Sequence, residues 1–339
     1  MTGPDGGSGG GSPLSPKIPA GSSAAPPADP PRRRRGRSAA RDRVEHAAFA
    51  AVASLLARLP AGSASRLGAG LARAYIAAAS SRRRILRGNI AAAFPDMLPG
   101  DAASLARESV ARFGAAFIEF LESPRWARPE LESRVSVAGD EHLRAARERG
   151  RGVFLLSAHF GSWELGAVRA GMLGEPIASV VRPLDNALLE AELARRRTRF
   201  GNRLIRKKEA AREILRDLRR GGTVAILIDQ NVLPGEGVFV PFFGRLAATS
   251  PSLALLQLKT DAAVVPVFTW PLGGGKYRLE FEKPIVASEF DPSRPRDERV
   301  RLATARYMQV TEAAVRKDPA AWLWLHNRWR TRPTERAEP

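Results

Sequence analysis

The chain has no cysteine in its 339 residues, which excludes disulfides, thiolate catalysis and cysteine-bound zinc. Histidine is scarce as well. His46, His142, His159 and His326 are the only four, and no two are closely spaced, so no metal site is expected. Acidic residues are outnumbered, 35 Asp and Glu against 54 Lys and Arg, for a net charge of +19. That excess implies anionic partners: nucleic acid, an anionic membrane surface, or an acidic protein or substrate. A long apolar run is missing too. The best stretch, residues 44–59, is interrupted by Glu45, His46 and Arg58 and closed by Pro60, too short for a membrane span of the usual kind. There is no internal repeat, no G-x-x-x-x-G-K-[ST] loop and no G-x-G-x-x-G after a strand, so nucleotide chemistry has no support. No G-x-S-x-G elbow stands in a strand–turn–helix setting, which argues against a serine hydrolase.

What is present centres on Val153-Phe-Leu-Leu-Ser-Ala-His159-Phe-Gly-Ser-Trp-Glu164. The apolar run to Ala158 predicts a buried strand, and Leu165, Val168, Ala170 and Leu173 predict a helix from Trp163, with Ser162 as N-cap. His159 then sits at the carboxyl end of a strand, where open α/β sheets bind ligands, and Glu164 in the first helical turn. A carboxylate near an imidazole can fix its tautomer and raise its basicity, as a general base requires. Taken singly, a histidine at a strand end is more often structural than catalytic. Two further strands strengthen the pair. Residues 177–181 end at Arg182-Pro-Leu-Asp-Asn186, and 224–228 end at Asp229-Gln230. His159, Arg182 and Asp229 would converge on one sheet edge, the arrangement a site needs.

The rest of the chain fits an α/β domain with a mixed sheet. Residues 1–31 are Gly, Ser, Pro and Ala and are expected to be disordered. With the arginines of 32–43 they form a basic head, followed by a domain over 44–330 and a flexible tail over 331–339. A basic run before an apolar helix at 44–59 suits a peripheral anchor on an anionic leaflet, or else an ordinary buried helix. Helices are expected over 64–79, 101–122, 140–149, 210–218 and 300–315, and short strands at Val135–Val137 and Leu204–Ile205. Val264–Trp270 and Tyr277–Phe281 pair through Gly273-Gly274-Gly275. The Gly237–Gly244 stretch could wall an apolar slot. A helix over 247–258 would place Thr249 at its amino end, where an anion is favoured. The closing Trp322–Arg330 mixes indoles with cations, suiting either a membrane interface or a capped core.

These residues together resemble a family. His159-Phe-Gly-Ser-Trp-Glu164 is similar to the H-x4-D/E motif of the glycerolipid-type acyltransferases, in the form seen in the bacterial lipid A biosynthesis (late, secondary) acyltransferases. Asn89-Ile-Ala-Ala-Ala-Phe-Pro95 resembles that family's N-L-x-x-A-F-P element, and Arg182-Pro-Leu-Asp-Asn186 its R-P-x-x-N element. Asp229-Gln230, Val240-Pro-Phe-Phe-Gly244 with Ala248-Thr249, and Trp322 to Arg330 resemble its remaining blocks, in the family's order. Ser252 stands where the family usually has Gly, and the basic head lies outside the pattern.

The resemblance implies a single glycerolipid-acyltransferase-like α/β domain that needs no cofactor. Its activity would be acyl transfer from acyl-carrier protein or acyl-CoA to a hydroxyl of a lipid A precursor or related anionic glycolipid, at the cytoplasmic face of the inner membrane. His159 would be the general base, paired with Glu164. Arg182 would bind an anionic group, with Asp229, Asn186 and Thr249 as further substrate-binding residues. Nucleic acid is not an expected partner. The alternatives are another acceptor within the superfamily, such as a phosphatidylinositol mannoside or a phospholipid, and a non-catalytic, basic membrane-binding protein.

Overall fold

The computed structural model describes residues 38–333, apart from 57, 60, 61, 175 and 207–209. The disordered stretch expected over 1–31, and 334–339 of the expected tail, lie outside the described residues. Four helices come first among the described residues: α1 (Ala39–Leu56), α2 (Ser63–Ala78), α3 (Ser80–Ala93) and α4 (Pro99–Glu122). Helix α5 (Arg128–Arg134) runs into β1 (Val135–Ala138), and α6 (Asp140–Glu148) leads to β2 (Val153–Ser157). Helices and strands then alternate through α7 (Trp163–Ala170), β3 (Ile177–Val181), α8 (Ala187–Arg197), β4 (Arg203–Arg206), α9 (Ala210–Arg219) and β5 (Thr223–Leu227). Two hairpins follow, β6 (Val238–Phe242) with β7 (Arg245–Thr249), and β8 (Ala263–Gly273) with β9 (Lys276–Phe281), separated by α10 (Ser252–Thr260). Helix α11 (Arg296–Lys317) precedes the closing segment.

The main sheet has seven strands in the order β1-β9-β8-β2-β5-β3-β4. Strands β8, β2, β5, β3 and β4 are mutually parallel, β9 is antiparallel to β8, and β1 is parallel to β9. It is the expected mixed sheet flanked by helices. Its centre explains the sequence pattern. A parallel strand covered on both faces reads as a continuous apolar run, and Val153, Phe154, Leu155 and Leu156 of β2 are all buried. Each such side chain contributes about 1.5–3 kcal/mol relative to exposure. Parallel pairing also brings the carboxyl ends of β2, β3 and β5 to one edge.

Three boundaries differ from expectation. Helix α1 starts at Ala39, inside the arginine cluster, because Ser38 Oγ accepts the Arg41 N–H at 3.2 Å and caps it. Residues 39–43 therefore belong to the helix and not to the head. The helix expected over 247–258 is instead a strand and a shorter helix. Phe243 (φ 53°) and Gly244 (φ 68°) form a two-residue turn of left-handed residues, which folds β7 antiparallel onto β6. Helix α10 begins only after Pro251. At the other end Thr331 is buried and anchored. Its N–H donates to Asn231 Oδ1 at 3.0 Å and its hydroxyl to the Val232 carbonyl at 2.7 Å, so the packed chain extends past 330.

The closing segment belongs to the core. Trp322, Trp324 and Trp329 are buried, and the Trp322 and Trp324 rings meet edge to face at 4.7 Å. Asn89 Nδ2 donates to the carbonyls of Trp324 (2.7 Å) and His326 (2.6 Å), tying the Asn89–Pro95 element to this segment. Among the described residues, no helix is long and apolar enough to cross a membrane.

Candidate active site

His159 lies two residues beyond β2 and Asp229 two residues beyond β5, strands in direct parallel register. That register brings together two residues 70 positions apart: His159 Nδ1 and Asp229 Oδ1 are 2.8 Å apart. Asp229 Oδ2 accepts two more hydrogen bonds, from the His159 backbone N–H (2.9 Å) and Trp322 Nε1–H (2.8 Å). Asp229 is 2% exposed, and burial alone would raise its pKa. The His159 charge and these bonds outweigh burial and hold the carboxyl at about 2. At His159 burial pulls the imidazole down, but the Asp229 charge and hydrogen bond, with a smaller contribution from Glu164, leave its pKa above the ordinary 6.5. The ring remains 22% exposed. A carboxylate can only accept, so neutral His159 carries its proton on Nδ1 and presents a bare Nε2 outward. That is the form a general base requires.

The turn itself is fixed to the closing segment. Gly161 N–H donates to the Ala321 carbonyl (2.8 Å), and Leu323 N–H to the His159 carbonyl (2.9 Å). Gly161 has φ 56°, and a Cβ there would lie 1.7 Å from the Thr269 carbonyl oxygen, so only glycine fits.

The expected His159–Glu164 pairing is replaced by His159–Asp229. Helix α7 carries Glu164 toward α8, where Arg197 grips it bidentately, Nε to Oε2 at 2.9 Å and Nη2 to Oε1 at 2.6 Å. The residue of that motif that packs on the imidazole is Trp163, edge to face at 5.1 Å. Glu164 stays near enough to raise the His159 pKa, without a hydrogen bond to it among the described residues.

Arg182 follows β3 at the same edge, exposed, with no hydrogen bond or ion pair among the described residues. The loop behind it is fixed. Leu184 N–H donates to Glu190 at 2.8 Å, and Asn186 Oδ1 caps α8 by accepting from Leu188 and Leu189. Asn186 Nδ2 donates to the Asp42 carbonyl (3.1 Å) and to Glu45 (3.0 Å) on α1. All four hydrogen-bonding positions of Asn186 are therefore filled within the protein. Thr249 ends β7, is fully buried, and accepts a hydrogen bond from the buried Arg328. Arg328 also donates to the Ala248 carbonyl at 2.7 Å, and burial lowers its pKa to about 10. Neither Asn186 nor Thr249 faces the imidazole as a free ligand group.

Gln230 and Trp322 complete the surroundings of His159 and fall in blocks the sequence marks without giving either a role, whereas Arg197, which holds Glu164, has no signal in the sequence. Arg197 ends a run of three arginines in a chain rich in arginine. Beside the turn lies a cavity of about 720 Å³, walled by Ala69, Phe113, Trp163, Leu272 and Leu323, with Arg66 and Lys276 also lining it. Among the described residues no three acidic or histidine side chains are grouped to hold a metal ion.

A histidine–aspartate pair thus stands at the carboxyl edge of a mixed sheet, beside a cavity lined by both apolar and charged side chains. Comparison with known proteins gives the family. Residues 37–331 match the bacterial lipid A biosynthesis acyltransferases, and the chain belongs to that family as an acyltransferase. It is 28% identical to the lipid A biosynthesis lauroyltransferase of Escherichia coli (strain K12), over 82% of this chain and 89% of that one. With the lipid A biosynthesis palmitoleoyltransferase of the same organism it shares 28% over 79% and 84%. It is also 27% identical to the phosphatidylinositol mannoside acyltransferase of Mycolicibacterium smegmatis, over 69% and 74%. The solved 1-acyl-sn-glycerophosphate acyltransferase PlsC of Thermotoga maritima aligns with a TM-score of 0.33 and 17% identity, over 73% of this chain and 96% of that one. Acyltransferase activity removes the non-catalytic binding-protein alternative.

Proposed function

We propose that the protein transfers a fatty acyl group from an acyl-carrier-protein or acyl-CoA thioester to a hydroxyl of a lipid A precursor. The observation that carries this reading is the bare Nε2 of His159, held outward by Asp229 beside a cavity whose apolar wall of Ala69, Phe113, Trp163 and Leu272 suits an acyl chain. His159 takes the hydroxyl proton as the oxygen attacks the thioester carbonyl, then returns it to the departing thiolate. Asp229 holds the ring and stabilises the imidazolium. Glu164, clamped by Arg197, adds negative charge nearby and fixes the start of α7 against α8.

Arg182 is the anion-binding group, because its guanidinium is exposed and unpaired among the described residues while the loop behind it is rigid. The net charge of +19 supports acidic donors and anionic lipids and steers both, an effect that weakens with salt. Apolar side chains left in solvent point to a lipid surface. Leu67, Leu71 and Tyr75 recur along one face of α2, with Val44, Val52 and Leu55 exposed on α1. These exposed apolar faces support a peripheral position, on the cytoplasmic face of the inner membrane.

Arg182→Ala is expected to raise the KM for the lipid acceptor by about 10-fold or more, the scale of a charge-assisted hydrogen bond, with little change in kcat or melting temperature. Steady-state kinetics with the acceptor varied give the answer, and an unchanged KM would remove Arg182 from the site. The likeness to a phosphatidylinositol mannoside acyltransferase supports a second acceptor class. Transfer to that glycolipid, and not to a tetra-acylated lipid A precursor, would assign it.

A further inference from the structure

Gln230 follows Asp229 at the same edge and has its carboxamide nitrogen 3.1 Å from His159 Nε2. Because Nε2 is bare when Nδ1 is bonded to Asp229, the amide must be the donor in this contact. Its mounting is rigid on both sides. Asp229 is fixed by three donors, and the Asn231 N–H donates to His326 Nε2 at 2.9 Å. The Asn231 side chain is further bonded to Val232 and Thr331. The Gln230 side chain itself is exposed. An amide N–H is thus carried by a fixed backbone at the point where the acceptor hydroxyl must approach the base.

We infer that Gln230 is a further catalytic residue, whose amide N–H stabilises the oxyanion formed when the acceptor attacks the acyl thioester. This rests on the acyl-transfer reading above. In the free enzyme the amide occupies Nε2. An entering hydroxyl displaces it, and the carbon under attack lies one bond from the oxygen now facing Nε2, within the reach of the displaced amide. As the O–C bond forms, the hydroxyl proton passes to Nε2 and the carbonyl π pair moves onto oxygen, which accepts the Gln230 N–H. Collapse restores the carbonyl and breaks the C–S bond, and the sulfur leaves with the proton from Nε2. A donor that is stronger toward the oxyanion than toward the resting base contributes to kcat and not to substrate affinity.

Gln230→Ala and Gln230→Glu test the assignment in the full chain, assayed with an acyl-carrier-protein thioester and the lipid acceptor. Both variants should lose about 10²–10³-fold in kcat, the range for one such donor, with KM and melting temperature unchanged. In Gln230→Ala the acid limb of the pH profile should stay in place, since Asp229 sets the His159 pKa. A kcat near wild type would overturn the inference, and so would a loss accompanied by a shifted acid limb, the sign of a group that only orients the ring. Absence of transfer by wild type would overturn the parent reading, and this one with it.

Discussion

Asp229→Asn should lower kcat by about 10⁴-fold, the scale seen when a base histidine is held in the wrong tautomer, while the chain stays folded. Asp229 Oδ2 accepts two N–H groups and Oδ1 accepts the Nδ1–H of His159. An asparagine offers one oxygen, which goes to the two donors, His159 N–H and Trp322 Nε1–H. Its NH2 then faces Nδ1, and the ring can accept it only by moving its own proton to Nε2. The lone pair needed by the hydroxyl is lost.

The pH dependence should change too. His159 acts as a base only when neutral, and its raised pKa places the acid limb of kcat/KM above 6.5 in the wild type. Asparagine removes the main opposing charge and leaves burial against only the smaller Glu164 contribution, so the limb of the residual activity moves to lower pH. Stability follows the same two groups. The raised His159 pKa contributes below 6.5, and that contribution is lost as pH rises through the folded value. The lowered Asp229 pKa contributes above 3.8, and that is lost as pH falls toward about 2. The wild-type advantage over the variant should therefore be greatest between 3.8 and 6.5. Steady-state rates and denaturant unfolding across pH check both statements. Equal kcat in variant and wild type would remove Asp229 from the mechanism.

Gly161→Ala should produce the largest loss of stability. A left-handed conformation alone costs a non-glycine residue about 1–3 kcal/mol. At Gly161 the added Cβ also lies 1.7 Å from the Thr269 oxygen and 2.9 Å from its carbonyl carbon. These are backbone atoms of β8, paired at Thr269 with Leu279 of β9, and they cannot swing aside. A loss above about 4 kcal/mol is expected, in the range that marks a steric or backbone cause. Gly235→Ala is the control, with φ 80° and nothing within 4 Å of the added atom. Denaturant midpoints should separate the two variants clearly, and similar midpoints would show that the turn is not held as tightly as described.

The central strands were legible because β2, β3 and β5 are short apolar runs ended by polar residues, and their parallel order follows from alternation with helices. Legible with them was the gathering of His159, Arg182 and Asp229 at one edge. The partner of His159 was not. Sequence spacing favours Glu164, five residues away, whereas the partner is set by strand register across 70 residues. Strand β7 was hidden because Arg245-Leu-Ala-Ala-Thr249 has the composition of a helix, and only the turn at Phe243-Gly244 turns it into a hairpin. Asn186 and Thr249 belong to shared motifs, yet one caps α8 and the other holds Arg328. A motif position reports that a residue matters without separating chemistry from scaffolding.

The central claim is tested most directly by acyl transfer with purified wild type and His159→Ala, using a labelled acyl-carrier-protein thioester and a tetra-acylated lipid A precursor. General-base assistance is worth about 10²–10⁴-fold. The variant should lose at least that much while keeping its melting temperature and its binding to lipid. Transfer by His159→Ala at a rate close to wild type would contradict the account, and would make the His159–Asp229 pair a structural contact at the edge of the sheet.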